Sequence, residues 1–193
     1  PYFDLPFQHV DYEVLAGMRR RAGDKELRGL IETIRETFPR ACLRGTCMVG
    51  FPGEEPRHFQ RLLDFVQDTR FDHLAVFTFY PEEGTRAASL PSGLDPETAT
   101  ERKRLLEEVQ EVISREKAME MLGRRVRVLV EGICDDEPGY LQARSYREAP
   151  EVDGLILIPR TGKIPLCDWQ WVKVVDMEGL DLIAEPEEIS GSP

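Results

Sequence analysis

The 193-residue sequence is 41% hydrophobic and 32% charged, with a formal net charge of −11. Such a chain is globular and holds one large domain or two modest ones; its acidity disfavours non-specific nucleic-acid binding and suits a basic protein partner. No apolar run approaches the roughly 20 residues of a membrane helix and no basic-then-apolar leader opens the sequence, so the expected compartment is the cytoplasm.

The first residues, Tyr2-Phe3-Asp4-Leu5-Pro6, read as a strand already in progress that stops at Pro6, with Phe7-Gln8-His9 following as a polar loop. Asp11 is expected to cap a helix with Val14, Leu15 and Met18 on one face. Asp24 is expected to cap a second, which buries Leu27, Leu30, Ile31, Ile34 and Phe38. Arg19, Arg20 and Arg21 close the first helix and read as solvated charges that complement its dipole.

Thr46-Cys47-Met48-Val49 then reads as a short buried strand, Gly50 to Glu54 as its tight exit turn, and the run opened by Pro56 as a helix burying Phe59, Leu62, Leu63 and Val66. In a parallel α/β fold such a loop lies at the carboxyl end of the sheet, and its glycines let backbone approach a ligand. His73 to Phe79 is a nearly continuous apolar run, expected as a parallel strand covered on both faces. Tyr80 to Thr85 is a second loop at the same end. A linker with Pro91, Gly93 and Pro96 leads to a long helix from about Glu97 to Leu122, with Leu105, Leu106, Val109, Val112 and Ile113 turned inward.

From Gly123 the period becomes alternating. Arg125–Gly132, Tyr140–Tyr146, Gly154–Ile158, Trp169–Asp176 and Asp181–Ala184 read as strands of a small barrel of the OB type. RNA-binding barrels of this kind present a basic face with exposed aromatics. Here Arg124 to Ile189 holds eight Lys or Arg against fourteen Asp or Glu, so nucleic acid is a poor partner. Trp169 and Trp171 share one strand face, and one of them is expected in the barrel core.

The four cysteines, Cys42, Cys47, Cys134 and Cys167, are too scattered for a disulfide framework or a C-x-x-C ligand pair and read as core or half-buried thiols. His58 and His73 have no His or carboxylate at metal-ligand spacing and read as structural, so no metal ligand is assigned.

Three segments together, Asp4-Leu5-Pro6-Phe7-Gln8-His9, Val49-Gly50-Phe51-Pro52-Gly53-Glu54 and Phe77-Thr78-Phe79-Tyr80-Pro81-Glu82-Glu83-Gly84-Thr85, resemble the later strands of radical S-adenosylmethionine methylthiotransferases. The acidic barrel resembles the TRAM domain that ends them. Within the family, Arg144-Ser145-Tyr146-Arg147-Glu148-Ala149-Pro150-Glu151-Val152-Asp153-Gly154 is similar to the RimO branch, which modifies a ribosomal protein.

The resemblance implies an α/β fold: the carboxyl-terminal half of a radical-SAM, partly TIM-like β/α barrel over residues 1–122, then a small all-β, OB-like TRAM barrel over 123–189. It implies methylthiolation of an aspartate side chain of small-subunit ribosomal protein S twelve, with S-adenosylmethionine, two 4Fe-4S clusters, a reductant protein and a sulfur source. On this likeness Gly50, Phe51, Pro52, Gly53 and Glu54 bind S-adenosylmethionine together with Pro6, Phe79, Tyr80 and Pro81. Gln8 and His9 are the candidate catalytic pair. Asp135, Asp136 and Glu137 become a docking surface for the basic ribosomal protein.

The family's cluster needs three closely spaced cysteines, C-x-x-x-C-x-x-C, and the sequence has no such triplet. The chain is therefore expected to be the carboxyl-terminal part of a longer enzyme and inert alone. Three other readings stay open: a transfer-RNA methylthiotransferase, a non-catalytic acidic module that holds a basic protein, and an unrelated β/α-barrel enzyme whose Gly50–Gly53 loop cradles a phosphate.

Overall fold

The computed structural model describes residues 1–90, 94–150, 152–160 and 164–187. Pro91 and Gly93 of the expected linker, Glu151, and the barrel's last expected residues, 188 and 189, lie outside the described residues. The chain divides into two compact units, residues 1–113 and 114–193, and the division falls within a helix.

In the first unit, β1 (Tyr2–Gln8), β2 (Cys42–Val49) and β3 (His73–Thr78) form a parallel sheet in the order β1-β2-β3. Helices α1 (Tyr12–Gly17) and α2 (Asp24–Thr37) connect β1 to β2, and α3 (Pro56–Thr69) connects β2 to β3. The odd residues of β2, Leu43, Cys47 and Val49, alternate inward onto Ile31, Ile34, Leu62, Phe65, Val66 and Phe71, as a period of two against amphipathic helices requires. Phe7 stacks on Phe71 with ring centroids 5.5 Å apart and meets Phe65 edge-on at 5.4 Å. Gly45 sits where these rings converge, since a Cβ there would lie 2.9 Å from Phe7 and 2.8 Å from Leu74.

Several sequence expectations shift here. β1 does not stop at Pro6 but continues to Gln8; Pro6 is accommodated on an edge strand of the described sheet, where the register with β2 slips between Leu5 and Gln8. Asp24 is the first residue of α2 rather than its cap, which is Gly23, and both Leu30 and Phe38 are exposed. β3 is not covered on both faces: Val76 is buried, but Phe77 on the opposite face is 55% exposed. That outer face, which also carries the partly exposed Met48 beside Phe77, becomes the floor of the cleft described below.

Helix α4 (Pro96–Met119) buries Leu106 in the first unit's core, with Leu105 and Val109 partly buried against it, while Val112 is exposed. The second unit is a closed barrel of β4 (Arg125–Ile133), β5 (Tyr140–Arg144), β6 (Ile156–Pro159), β7 (Asp168–Glu178) and β8 (Asp181–Pro186), in the order β4-β5-β6-β8-β7. β6 and β8 run parallel; the other pairs are antiparallel. Alternate residues fill its core: Val126, Val128 and Val130 of β4, Val172 and Val174 of β7, Leu182 and Ala184 of β8. Neither tryptophan joins them. Trp169 is 50% and Trp171 47% exposed, with Arg127 and Arg125 stacked on their rings at 4.9 and 5.6 Å.

Candidate functional site

The site is built at the carboxyl end of β2. Gly50 leaves the strand at φ +81° and Gly53 turns the chain again at +90°, conformations that cost glycine nothing. Glu54 N–H donates to the Phe51 carbonyl at 2.9 Å and closes the turn, and Phe79 N–H donates to the Val49 carbonyl at 2.8 Å, tying the β3 exit to the loop. The Phe51 and Phe79 rings then meet edge-on, 5.1 Å apart at 73°. Gly17, at the end of α1, leaves room for this arrangement, because a Cβ there would stand 2.8 Å from the Phe51 ring.

Two hollows flank the aromatic pair. One is an open cleft of about 710 Å³ whose lining includes Gln8, Met48, Phe51, Phe77, Phe79 and Tyr80. The other, about 650 Å³, takes Gly50, Pro52, Phe79, Tyr80 and Pro81 with Ala99 of α4. The structure thus brings Gln8, Gly50, Phe51, Pro52, Phe79, Tyr80 and Pro81 of the expected set together. Gly53 is exposed at the loop tip.

Three expected residues are placed differently. Pro6 lines a separate shallow groove with Arg20, Arg21 and Leu27. His9 is fully buried: its Nδ1 accepts the Asp11 N–H at 3.0 Å and its Nε2 has no partner among the described residues. Burial lowers its pKa to about 4, against the attraction of Asp11 and helped by the nearby His58 and Arg102 charges, so the imidazole is neutral.

Glu54 does not line either hollow. Its buried Oε2 accepts the Gly50 N–H at 2.7 Å while Oε1 pairs with the buried Arg102 of α4, which also lies 5.1 Å over the Phe59 ring. Burial pushes the Glu54 carboxyl above the usual carboxylate range, against the opposing pull of Arg102 and the Gly50 and Phe51 N–H groups. Glu54 therefore braces the loop from behind. Arg102 had no sequence signal, because nothing in a helix heptad announces a partner 48 positions away.

Sequence spacing also missed a cluster. Asp11, Glu13 and His58 bring their ligand atoms within 4.8 Å of one another. Each is already engaged: Asp11 by Arg61 and the Glu13 N–H, Glu13 by Arg57, and His58 Nδ1 by the Glu55 N–H at 3.0 Å. Burial alone would raise the Asp11 pKa, but the Glu13 N–H and the Arg61 guanidinium hold it below its ordinary value. These contacts cap α1 and α3 and tie the two together, with Arg57 paired to Glu13 and Arg61 to Asp11.

In the barrel, Asp135, Asp136 and Glu137 stand together on the exposed turn between β4 and β5, closed by Tyr140 N–H to the Glu137 carbonyl at 2.9 Å. Past β5, Ser145 and Ala149 are held by nearby acids. Glu148 accepts from Ser145 N–H at 2.8 Å and Ser145 Oγ at 2.7 Å, and Asp153 from Ala149 N–H at 2.9 Å.

Comparison with known proteins shows what this chain is similar to. Residues 122–186 match the TRAM domain. The chain is 41% identical over 186 residues to the ribosomal protein uS12 methylthiotransferase RimO of Syntrophus aciditrophicus, covering 95% of this chain and 41% of that protein. It is 39% identical over 184 residues to that of Bdellovibrio bacteriovorus, covering 95% and 40%. Over nearly its whole length the chain is similar to part of these RimO proteins. It spans about two fifths of the length of these RimO relatives. Among solved structures, coproporphyrinogen III oxidase (HemN) from Escherichia coli, described as a radical SAM enzyme, is similar with a TM-score of 0.48 and 13% identity, covering 75% of this chain and 41% of that one.

Cys42 and Cys47 are completely buried, burial drives the Cys47 thiol far above its ordinary pKa, Cys134 is buried in the second unit and Cys167 is exposed there. No cysteine belongs to a metal-ligating group among the described residues. These thiols do not fit an iron-sulfur cluster, which takes converging thiolates. The hollows are lined by Phe51, Phe79 and Tyr80, side chains of the kind that stack on a planar base.

Proposed function

We propose that this chain supplies the S-adenosylmethionine-binding edge and the TRAM domain of an enzyme that methylthiolates an aspartate side chain of the small-subunit ribosomal protein uS12. The reading rests above all on the 41% identity to a RimO protein over 95% of the chain. The domains are taken as residues 1–122 and 123–189. The substrate is a basic protein, the reaction draws on a reductant protein and a sulfur source, and it runs in the cytoplasm.

Bound S-adenosylmethionine supplies the radical that removes hydrogen from the substrate carbon and, from a second molecule, the methyl of the group that replaces it. The chain's own residues bind and orient. Phe51, Phe79 and Tyr80 hold the adenosine, with Gly50, Pro52 and Pro81 setting the backbone around it. Glu54 and Arg102 keep that loop in one conformation, so the bound geometry is already formed when substrate arrives. Gln8, at the β1 bulge on the cleft wall, orients substrate by its amide, and buried His9 positions Gln8 through the β1 end. The acidic barrel attracts the basic substrate at long range.

The test uses the longer polypeptide beside this chain. After anaerobic reconstitution the long form is expected to hold about eight irons, as two 4Fe-4S clusters require, and this chain none. Incubated with S-adenosylmethionine, sulfide and reductant, the long form should raise the mass of uS12 by one methylthio group in place of one hydrogen, on a single aspartate. A modified transfer RNA and an unmodified uS12 would sink the reading.

A further inference from the structure

The cleft in front of the aromatic pair is more positive than the chain around it. Arg19 and Arg20, which follow α1, and Arg86, which precedes a short 3-10 turn, all line it, and Glu82 is the single acid among the described residues that do so. Cations are outnumbered in this sequence, 25 Lys and Arg to 36 Asp and Glu. Elsewhere Arg28, Arg57, Arg61, Arg102, Arg104, Arg125 and Arg144 are ion-paired to carboxylates. Arg19, Arg20 and Arg86 make no ion pair among the described residues. Arg20, which lines both this cleft and the separate groove of Pro6, donates its Nη1 to the Pro6 carbonyl at 3.0 Å. Arg19 holds φ +58°, an uncommon conformation for a residue with a Cβ, in the turn that delivers two consecutive arginines to the cleft.

We propose that Arg19, Arg20 and Arg86 form a carboxylate-binding subsite of this cleft; the inference rests on the function proposed above and names what that site selects. A guanidinium presents a planar fork of donors that matches a carboxylate bidentately, and the three exposed arginines line the open cleft beside the apolar Met48, Phe51 and Phe77. Two carboxylates enter such a site: the aspartate side chain of the substrate and the α-carboxylate of the methionyl part of S-adenosylmethionine. Against a basic substrate protein the subsite also discriminates, because it repels lysine and arginine side chains and accepts the acidic one.

Two binding arms separate the sources, both on the longer enzyme with its clusters reconstituted. Equilibrium dialysis compares S-adenosylmethionine with its decarboxylated analogue. Fluorescence anisotropy compares uS12 peptides with aspartate or asparagine at the modified position. Wild type is expected to favour the carboxylate form by about tenfold or more in at least one arm, the range of charge-assisted hydrogen bonds. The R19Q/R20Q/R86Q variant, and R20Q and R86Q singly, should erode that preference, and the R19K/R20K/R86K variant should retain part of it. Loss in the peptide arm assigns the subsite to substrate, and loss in the cofactor arm assigns it to the cofactor. No preference in wild type, or a preference that the substitutions leave unchanged, overturns the proposal. Because binding is read directly, an enzyme that shows the preference yet fails to methylthiolate uS12 defeats the function reading and leaves the subsite standing.

Discussion

Glu54 is a charge placed where nearly everything else is apolar, and one partner keeps it there. Removing that partner is expected to cost far more than removing the charge. Arg102→Met strands a buried carboxylate and should destabilise the chain by about 3–5 kcal/mol, read as a lowered urea midpoint. Glu54→Gln keeps an acceptor for the Gly50 N–H and should cost about half as much or less. Equal losses would mean that the pair does not act as a brace. The sequence named Glu54 by its place in a motif, but a motif gives position and not direction, so the inward turn was invisible. His9 was similar: its place beside Gln8 was legible, its burial was not. With its pKa lowered to about 4 mainly by burial, native His9 stays neutral while the unfolded chain protonates below pH 6.5, so its contribution is complete above that value and is lost as pH falls towards 4. Between pH 7 and about pH 4.5 the loss from this one group is about 2.5 kcal/mol. His9→Asn, which retains an acceptor for the Asp11 N–H, should flatten the urea midpoint's pH dependence by that amount relative to wild type. Identical pH profiles would remove His9 as the titrating group.

At the scale of elements, the strand-loop-helix unit was the most legible part, because a period of two, two glycines and a helix-opening Pro56 all agreed. The two glycines have different reasons. Gly50 combines φ +81° with a Cβ position 3.0 Å from the Ala99 Cβ on α4, whereas Gly53, at +90°, faces open space. Gly53→Ala should therefore cost about 1–2 kcal/mol for the left-handed backbone alone. Gly50→Ala should cost more, because α4 must also give way, and it alone should weaken S-adenosylmethionine binding in the longer enzyme. Thermal melts of the two variants decide the order; a larger loss at Gly53 would contradict the packing account. The strand faces were harder to read. Trp169 and Trp171 satisfied the alternation of β7, but alternation marks two faces without saying which is inside, and Val172 and Val174 took the core while the tryptophans stacked under Arg127 and Arg125. Phe77 misled in the same way, since an apolar run reads as burial even where it floors a cleft.

Across the whole molecule, charge is segregated rather than even. The chain's −11 is an average that conceals three arginines lining one cleft and an acidic barrel turn. Net charge was legible at once from composition; the segregation was not, because Arg19, Arg20 and Arg86 converge only once the β1-β2-β3 sheet exists. The acidic turn between β4 and β5 offers the clearest test at this scale. Asp135, Asp136 and Glu137 are exposed on a closed turn whose geometry rests on backbone contacts, so reversing all three to Lys changes the charge by six units with little expected change in stability. If the turn steers a basic ribosomal protein, the reversal should slow association and weaken binding to uS12 by about tenfold or more at low salt. The gap should close as ionic strength rises, because at 0.1 M the screening length is only about 10 Å. Stopped-flow association rates across a salt series read both effects. A rate unchanged at low salt takes the turn out of the interface, and a loss that persists undiminished at high salt means the residues act by direct contact rather than by steering.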